Sequence, residues 1–199
     1  MWTSSPVHPD MTTTQTHETP TLVTGLFMSL DGIVEADDDW QFAYFDDELF
    51  AGIAAGWARA GAALMGRRTF AGFDRLRHEH PDSPAVHFLD SVPKYVASTT
   101  LTEVGSGTTV LGVDLEAELA RLRTEPGKNI LVLGSPTLVR WLIARKLLDT
   151  LTFTVLPIIV GSGVRLFEDM ELPTGHLRMH LDAARPLASG ALELRYSFN

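Results

Sequence analysis

Two short stretches of this chain carry the residue types that hold an anion. In Leu64-Met65-Gly66-Arg67-Arg68-Thr69-Phe70 and in Leu131-Val132-Leu133-Gly134-Ser135-Pro136-Thr137-Leu138, an apolar run stops at a glycine and a helical pattern begins directly afterwards. A glycine at that point lets the backbone approach a ligand with no Cβ in the way, Ser135 is a good N-cap, and Pro136 suits the first helical position. Amides at the start of a helix have no partner within it and favour a phosphate or another anion. The first stretch adds the guanidinium groups of Arg67 and Arg68. Either turn alone is ordinary strand-to-helix punctuation. The pair, with its arginines, reads as a split nucleotide site. Consecutive helical residues point about 100° apart, so one arginine is expected on phosphate while the other is free to pair elsewhere.

Composition narrows what such a site serves. The chain has 199 residues, 45% of them hydrophobic, which suffices for one domain with a sizeable core and not for two large ones. A formal charge of −9 argues against the basic face that nucleic acid or an anionic membrane surface requires. An anionic cofactor must therefore rely on local positive charge, for which Arg67, Arg68 and Lys94 are the candidates. With no cysteine there is no disulfide framework and no thiolate chemistry, as suits a reducing, cytoplasmic setting. No apolar run reaches membrane-spanning length. The first twenty residues are rich in Thr, Ser and Pro, lack the basic start and apolar core of a secretory signal, and read as a disordered tail before a domain over residues 21–199. His78, Glu79, His80, Asp82 and His87 match no zinc spacing in what reads as a surface loop over residues 75–84, and no metal is expected.

The elements that must position the two turns follow from periodicity. Residues 21–28 form an apolar, β-rich run closed by the Asp31-Gly32 turn signal, and this is the central strand. An acidic, aromatic loop follows, with Asp37, Asp38, Asp39, Trp40, Phe42 and Tyr44. Leu49, Ile53 and Trp57 then fall at helical spacing, with Asp46, Asp47 and Glu48 at the positive end of that helix. Short strands are expected at residues 62–65, 94–98, 108–111 and 129–133; Leu115, Leu119 and Leu122 define a helix capped by Asp114 and stopped near Pro126-Gly127, and a further helix is expected at 136–147. Leu151, Phe153 and Val155 alternate with Thr152 and Thr154 as in a strand. Residues 177–183 and 191–198 fit a hairpin turning near Gly190. Strands that first alternate with helices and then pair as neighbours give an α/β domain: a mixed, mainly parallel sheet with antiparallel C-terminal strands.

Taken in order, Ser29-Leu30-Asp31-Gly32, Met65-Gly66-Arg67-Arg68-Thr69-Phe70 and Pro93-Lys94-Tyr95-Val96-Ala97-Ser98-Thr99 resemble the dihydrofolate reductase-like superfamily. Ile130-Leu131-Val132-Leu133-Gly134-Ser135, Leu156-Pro157-Ile158-Ile159-Val160-Gly161-Ser162-Gly163 and Arg165-Leu166-Phe167 are similar to the reductase domain of the bifunctional riboflavin-biosynthesis deaminase/reductase, the RibD C-terminal domain, and its stand-alone bacterial relatives. The resemblance runs from about Thr21 to the end of the chain. It implies a three-layer fold with helices on both faces of the sheet, NADPH lying across the strand ends, and hydride transfer to a C=N bond of a small pteridine- or riboflavin-precursor-like heterocycle.

By the same resemblance, Gly66, Arg67, Arg68 and Thr69 receive cofactor phosphates, and Ser98 and Thr99 lie near the adenosine 2′-phosphate. Gly134, Ser135, Thr137 and Leu138 form the second phosphate turn. A planar, permanently charged arginine fork with hydroxyl donors beside it explains a preference for the phosphorylated dinucleotide. Asp31 matches the acidic position after the first strand. It is either a substrate anchor and proton donor, with a raised pKa near a nicotinamide, or a plain turn residue. The carboxylate that holds a pteridine would have to come from Asp46, Asp47 or Glu48, which equally fit as solvated helix-start charges. Trp40, Phe42 and Tyr44 form either a lid that stacks on a planar substrate, with Trp40 touching it, or part of the core. Trp57 and Trp141 are expected in the core or at a dimer contact, and the resemblance implies a homodimer. The alternative function is a protein that binds NADP or a flavin without turnover.

Overall fold

The computed structural model describes residues 19–36, 40–168, 170, 172 and 175–198. The expected N-terminal tail, as far as residue 18, and the three aspartates at 37–39 lie outside these residues. In chain order the elements are β1 (Leu22–Ser29), β2 (Ile33–Glu35), a 3-10 turn (Phe42–Tyr44), α1 (Asp47–Ala58), β3 (Ala60–Gly66), α2 (Arg67–Glu79), α3 (Pro84–Ser91), β4 (Lys94–Ala97), β5 (Thr108–Leu111), α4 (Leu115–Thr124), β6 (Asn129–Val132), α5 (Pro136–Ala144), β7 (Thr150–Leu156), β8 (Val164–Arg165), β9 (Met179–Pro186) and β10 (Leu192–Phe198).

One sheet, in the order β5-β4-β3-β6-β1-β7-β10-β9, forms the middle layer. Its first six strands are parallel, and β10 and β9 add antiparallel. The mixed sheet with an antiparallel C-terminal end is therefore as the alternation predicts. The chain walks from β1 to β3, β4 and β5 in one direction and from β5 to β6 and β7 in the other. Right-handed crossovers accordingly put α1–α3 on one face and α4 and α5 on the opposite face. The packing agrees. Ala63 and Met65 of β3 join Phe88, Leu89, Phe70 and Trp57 in one core, while Leu64 joins Leu119, Leu138, Leu142 and Leu151 in the other. Successive strand residues point to opposite faces, so one strand feeds both cores.

Three local expectations need correction. The segment from Arg75 is not a loop: α2 continues to Glu79, because Arg75-Leu76-Arg77-His78-Glu79 are competent helix formers. The next helix, α3, starts at Pro84 with Ser83 as its cap. Helix α5 stops at Ala144 rather than near Leu147. Lys146 takes a left-handed φ of 56°, and the Leu147 amide bonds back to the Leu142 carbonyl at 2.9 Å, a Schellman-type close. A two-stranded sheet of β2 and β8 was not foreseen. Its strands are two and three residues long, too short for periodicity to announce them.

Register decides the shape of the carboxyl edge. Val132, the last residue of β6, pairs with Thr24 of β1 and Leu64 of β3. Strand β1 continues beside β7 to Ser29, and β3 continues beside β4 to Gly66. The sheet is thus notched above its shortest central strand, and the 133–135 segment sits in the notch.

Candidate active site at the carboxyl edge

The structure brings the two glycine turns into contact. The Gly66 amide donates to the Gly134 carbonyl at 2.9 Å, and the Leu133 amide donates to the Leu64 carbonyl at 2.9 Å. Gly134 has φ +112°, and a Cβ placed on it would lie 3.4 Å from Thr69 Oγ1. A Cβ on Gly66 would lie 3.3 Å from Ser135 Oγ. Gly134 is therefore required by its backbone conformation, and a Cβ on Gly66 would sit tightly against the Ser135 hydroxyl. The Gly134–Ser135 peptide is cis.

How the helices begin sets this edge apart. Asp46 caps α1, Ser83 caps α3 and Asp114 caps α4, each through its side chain. Neither α2 nor α5 has a side-chain cap. Ser135, expected as a cap, instead turns its hydroxyl toward Gly66, and that correction leaves the first-turn amides of α5 to a ligand. Thr137 is exposed there, whereas the Leu138 side chain is 7% exposed and packed in the core, so Leu138 can contribute only its amide. In α1 and α4 the first turn is acidic, as the helix dipole favours, but in α2 it holds Arg67 and Arg68. Two cations at the positive end of a helix are unfavourable without an anion. Both arginines are exposed, and among the described residues neither has a salt-bridge partner.

Ser98 and Thr99 follow β4, whose Ala97 pairs with Gly66, so they stand next to the Arg67 turn. Ser98 Oγ accepts the amides of Thr100 and Leu101 at 3.2 and 3.0 Å, which fixes its position and leaves its proton to donate. Thr99 is exposed. Lys94 is a correction. It lies at the other end of β4 and is 7% exposed, and its ammonium caps α3 through the Leu89 carbonyl at 2.8 Å. Burial pushes its pKa below the usual lysine value, and it supplies no charge to the turns.

Asp31 is also not the acid that was expected. Its carboxylate accepts from Ser29 Oγ at 2.7 Å and from the amides of Val160 at 3.1 Å and Gly161 at 2.8 Å. Those bonds, the Ser29 hydroxyl foremost, lower its pKa to about 2. It is a clamp between the end of β1 and the loop after β7, and it holds no proton at neutral pH. Unfolded aspartate takes up its proton near pH 4. The clamp's stabilisation is therefore complete above about pH 5 and lost as pH falls toward 2. Asp31→Asn should lower the melting temperature by a constant amount between pH 5 and 8, and the gap to wild type should shrink as pH is lowered to 2. A gap independent of pH down to 2 would contradict the assignment.

Beside this edge, on the α1 face of the sheet, lies a cavity of about 840 Å³. Helix α1 has only Leu49 fully buried, so the helix stands off from the strands beneath it. Phe27, Phe42, Phe45, Phe50 and Leu133 line the cavity, with Thr150, Thr152 and Thr154 on its floor. Phe45 gathers the aromatic rings, with centroids 5.0 Å from Phe27, 5.3 Å from Phe42 and 5.2 Å from Phe50. Trp40, expected to touch substrate, is instead 8% exposed in a separate core with Leu49, Leu156 and Leu187. Tyr44 is tied to the Pro157 carbonyl at 3.2 Å. Of the lid trio, Phe42 alone lines the cavity. The sequence reading missed Phe27, Phe45 and Leu133. The alternation in β1 signalled Phe27, but nothing local showed which sheet face would stay open.

The three acids considered for a pteridine are accounted for. Asp46 Oδ1 accepts the Leu49 amide at 2.8 Å. Glu48 holds Arg185 at 2.8 Å and the Ala188 amide at 2.8 Å. Asp47 is exposed in the first turn of α1 and does not line the cavity. Among the described residues no group of three or more His, Asp or Glu is placed to hold a metal ion, and no helix is long and apolar enough to cross a membrane.

Comparison with known proteins gives the same architecture. The uncharacterized protein YyaP of Bacillus subtilis (strain 168) is 24% identical over 185 residues, covering 89% of this chain and 95% of that protein. A solved protein from Shewanella sp. PV-4 named for riboflavin biosynthesis superposes with a TM-score of 0.74 at 22% identity, covering 90% of this chain and 99% of that one. Dihydrofolate reductase from Enterococcus faecalis, solved in complex with NADP(H) and RAB-propyl, superposes with a TM-score of 0.61 at 15% identity over 91% and 98% of the two chains. These likenesses establish a dihydrofolate reductase-like fold. The model of the RibD C-terminal domain matches residues 20–192, and the chain belongs to that family.

Proposed function

We propose that this protein is an NADPH-dependent reductase that transfers a hydride to a C=N bond of a small heterocycle. One observation carries the reading. Two helices begin side by side without side-chain caps, their turns are bonded through Gly66 and Gly134, and Arg67 and Arg68 stand at the start of one of them without ion-pair partners among the described residues. That donor set fits a dinucleotide with an extra phosphate: backbone amides for the bridging phosphates, and guanidinium forks with the hydroxyls of Thr69, Ser98 and Thr99 for the 2′-phosphate. NADP(H) in the Enterococcus enzyme and the family's reductases favour the same cofactor.

When bound, the nicotinamide supplies a hydride to the imine carbon, the nitrogen takes a proton, and the products are an amine and the oxidised cofactor. The rest falls to the chain's own residues. Gly134 and Leu133 would hold the cofactor at the edge beside the cavity, and the phenylalanines that line it would orient the acceptor. The Asp31 clamp holds the facing loop in place. Because Asp31 is committed and ionised, the proton comes from water.

The same commitment supports the second reading, a protein that binds NADP or a flavin without turnover, since among the described residues no carboxyl group at this edge is poised as an acid. Cytoplasmic location and a homodimer belong to the proposal, the latter checked by light scattering of the purified chain. Titration with NADPH and NADH, followed by nicotinamide fluorescence and thermal shift, should show NADPH at least about tenfold tighter, the effect of one charge-assisted contact. Equal affinities would remove the 2′-phosphate assignment, and binding of neither would remove the cofactor. Oxidation of NADPH with any member of an imine and pteridine panel separates the reductase from the binder.

A further inference from the structure

Strand register sets a row of side chains across the floor of the cavity. Phe27 of β1 pairs with Thr154 of β7, Thr154 with Glu193 of β10, and Glu193 with Arg185 of β9. Residues opposite each other on neighbouring strands share a face, and all of these line the cavity. Phe27 is two residues from the carboxyl end of β1, so the row runs beside the edge that holds Leu133 and Gly134. It passes from a ring to a hydroxyl, a carboxylate and a guanidinium. Neighbouring strands are about 4.8 Å apart, so Phe27 and Glu193 are separated by about 10 Å, a distance that a fused two-ring heterocycle with a hydrogen-bonding edge can bridge.

Two members of the row have polar atoms that the fold does not use. Thr154 is 8% exposed, and its hydroxyl makes no hydrogen bond with any described residue. A buried hydroxyl of this kind, facing a cavity, is an unmet donor and acceptor. Glu193 is the one carboxylate among the described residues that line the cavity. Its ion-pair partner Arg185 lies 3.6 Å away and gives its 2.8 Å bond to Glu48 instead. Among the described residues the Glu193 carboxylate accepts no hydrogen bond, so its oxygens are open to a ligand, with Arg185 behind them as counter-ion. Above the row, α1 presents Gly52. Neither a positive φ nor crowding requires a glycine there, since its Cβ would lie 3.8 Å from both Arg185 and Glu193. A glycine inside a helix weakens it. Here it leaves the space over Glu193 open.

Resting on the reductase reading for the position of the hydride, we propose that Glu193 and Thr154 recognise the substrate, a planar heterocycle whose edge presents ring N–H or amino donors to them. A carboxylate only accepts, whereas a threonine hydroxyl donates or accepts, so the pair fits an N–H beside a second N–H or a carbonyl. The same ring alkylated at its nitrogens leaves both groups unpaired, and a site with unpaired buried polar groups rejects a ligand more strongly than one that loses apolar contact. Asp46 and Glu48 of α1 are spent on the helix cap and on Arg185. The acid that reads the ring comes from the C-terminal hairpin.

Lumazine and 1,3-dimethyllumazine, pteridinediones of one ring system that differ in two N–H groups, test this. Each is titrated by its own fluorescence into the full chain at pH 6, with and without saturating NADP+. Lumazine should bind at least about tenfold more tightly, the effect of one hydrogen bond to a charged group. Thr154→Val keeps the shape and removes the hydroxyl, and Glu193→Gln keeps the size, removes the charge and leaves Arg185 on Glu48. Each should weaken lumazine by at least about threefold and leave the dimethyl ring within about twofold, with the melting temperature unchanged, because neither side chain bonds within the fold. Gly52→Leu fills the space over Glu193 and should remove lumazine binding. A dimethyl ring that binds as tightly as lumazine, Thr154 and Glu193 variants that weaken both rings alike, or no binding of lumazine to the wild type would overturn the proposal. NADPH titration of the same samples is a separate readout. Retained cofactor binding without the N–H preference removes only the recognition pair, and lost cofactor binding with the preference intact removes only the reductase.

Discussion

Replacing Arg67 and Arg68 together with alanine is expected to weaken NADPH binding by about 100-fold and NADH binding by less than about threefold, from charge-assisted bonds of about 1.5–3 kcal/mol each at a partly exposed site. The same variant should melt no lower than the wild type. Two cations in the first turn of α2 oppose its dipole, and no carboxylate in that turn offsets them. Removing them relieves a local repulsion of a few tenths of a kcal/mol or more. Loss of binding with equal or higher thermal stability is the signature of side chains kept for a ligand rather than for the fold. Raising salt should weaken NADPH binding to the wild type more than to the variant. Parallel losses for both dinucleotides, or a lower melting temperature, would mean that the arginines serve the structure instead.

Gly163→Ala is expected to be the most damaging conservative change outside the cofactor turns. Gly163 has φ +142°, and its Cβ would lie 2.5 Å from the Glu35 carbonyl oxygen, 2.8 Å from Ile33 Cγ2 and 3.2 Å from Ala36 Cβ. Ile33 is fully buried, so it has nowhere to go. The oxygen belongs to β2, which pairs with β8 immediately after the glycine. Overpacking and an unfavourable φ together should remove about 3 kcal/mol, a fall in melting temperature of about 6–12 °C for a chain of this size. Gly161→Ala is the matched control, because Gly161 also has positive φ, +87°, but has nothing within 4 Å of its Cβ. That variant should lose only about 1 kcal/mol, the backbone part alone. Equal melting temperatures for the two variants would show that the contact with β2 relaxes without penalty.

What could be read before the structure was whatever is written locally. The β3–α2 and β6–α5 turns are legible because glycine, proline and the change from strand to helix period occupy adjacent positions. The mixed sheet is legible because alternation and helical spacing succeed one another along the chain. Partnerships across the chain are not. Asp31 is held by the Ser29 hydroxyl two residues before it, a partner its local sequence offers, and by the amides of Val160 and Gly161, 129 and 130 residues away, which no local pattern records. Ser135 reads as a cap because its sequence neighbours ask for one, while its hydroxyl makes no cap bond and lies near Gly66 on another strand. Lys94 was counted with the arginines by charge alone, but β4 carries it to the opposite end of the sheet. Helix α3 was hidden by its histidine- and proline-rich approach, although Ser83-Pro84 is a sound start signal. The aromatic cavity depends on how far α1 stands from the strands, which no pattern within α1 records.

The two glycine turns are joined main chain to main chain, by the Gly66 amide on Gly134 and the Leu133 amide on Leu64. A bond between backbones takes no notice of side-chain replacement. The span between the two turns is therefore a ruler set by strand pairing, independent of the side chains at Arg67, Arg68, Ser98, Thr99 and Thr137. Substitutions at these surface positions can change what the two turns contact while leaving the ruler uncut. Divergence of function within such a scaffold requires no refolding.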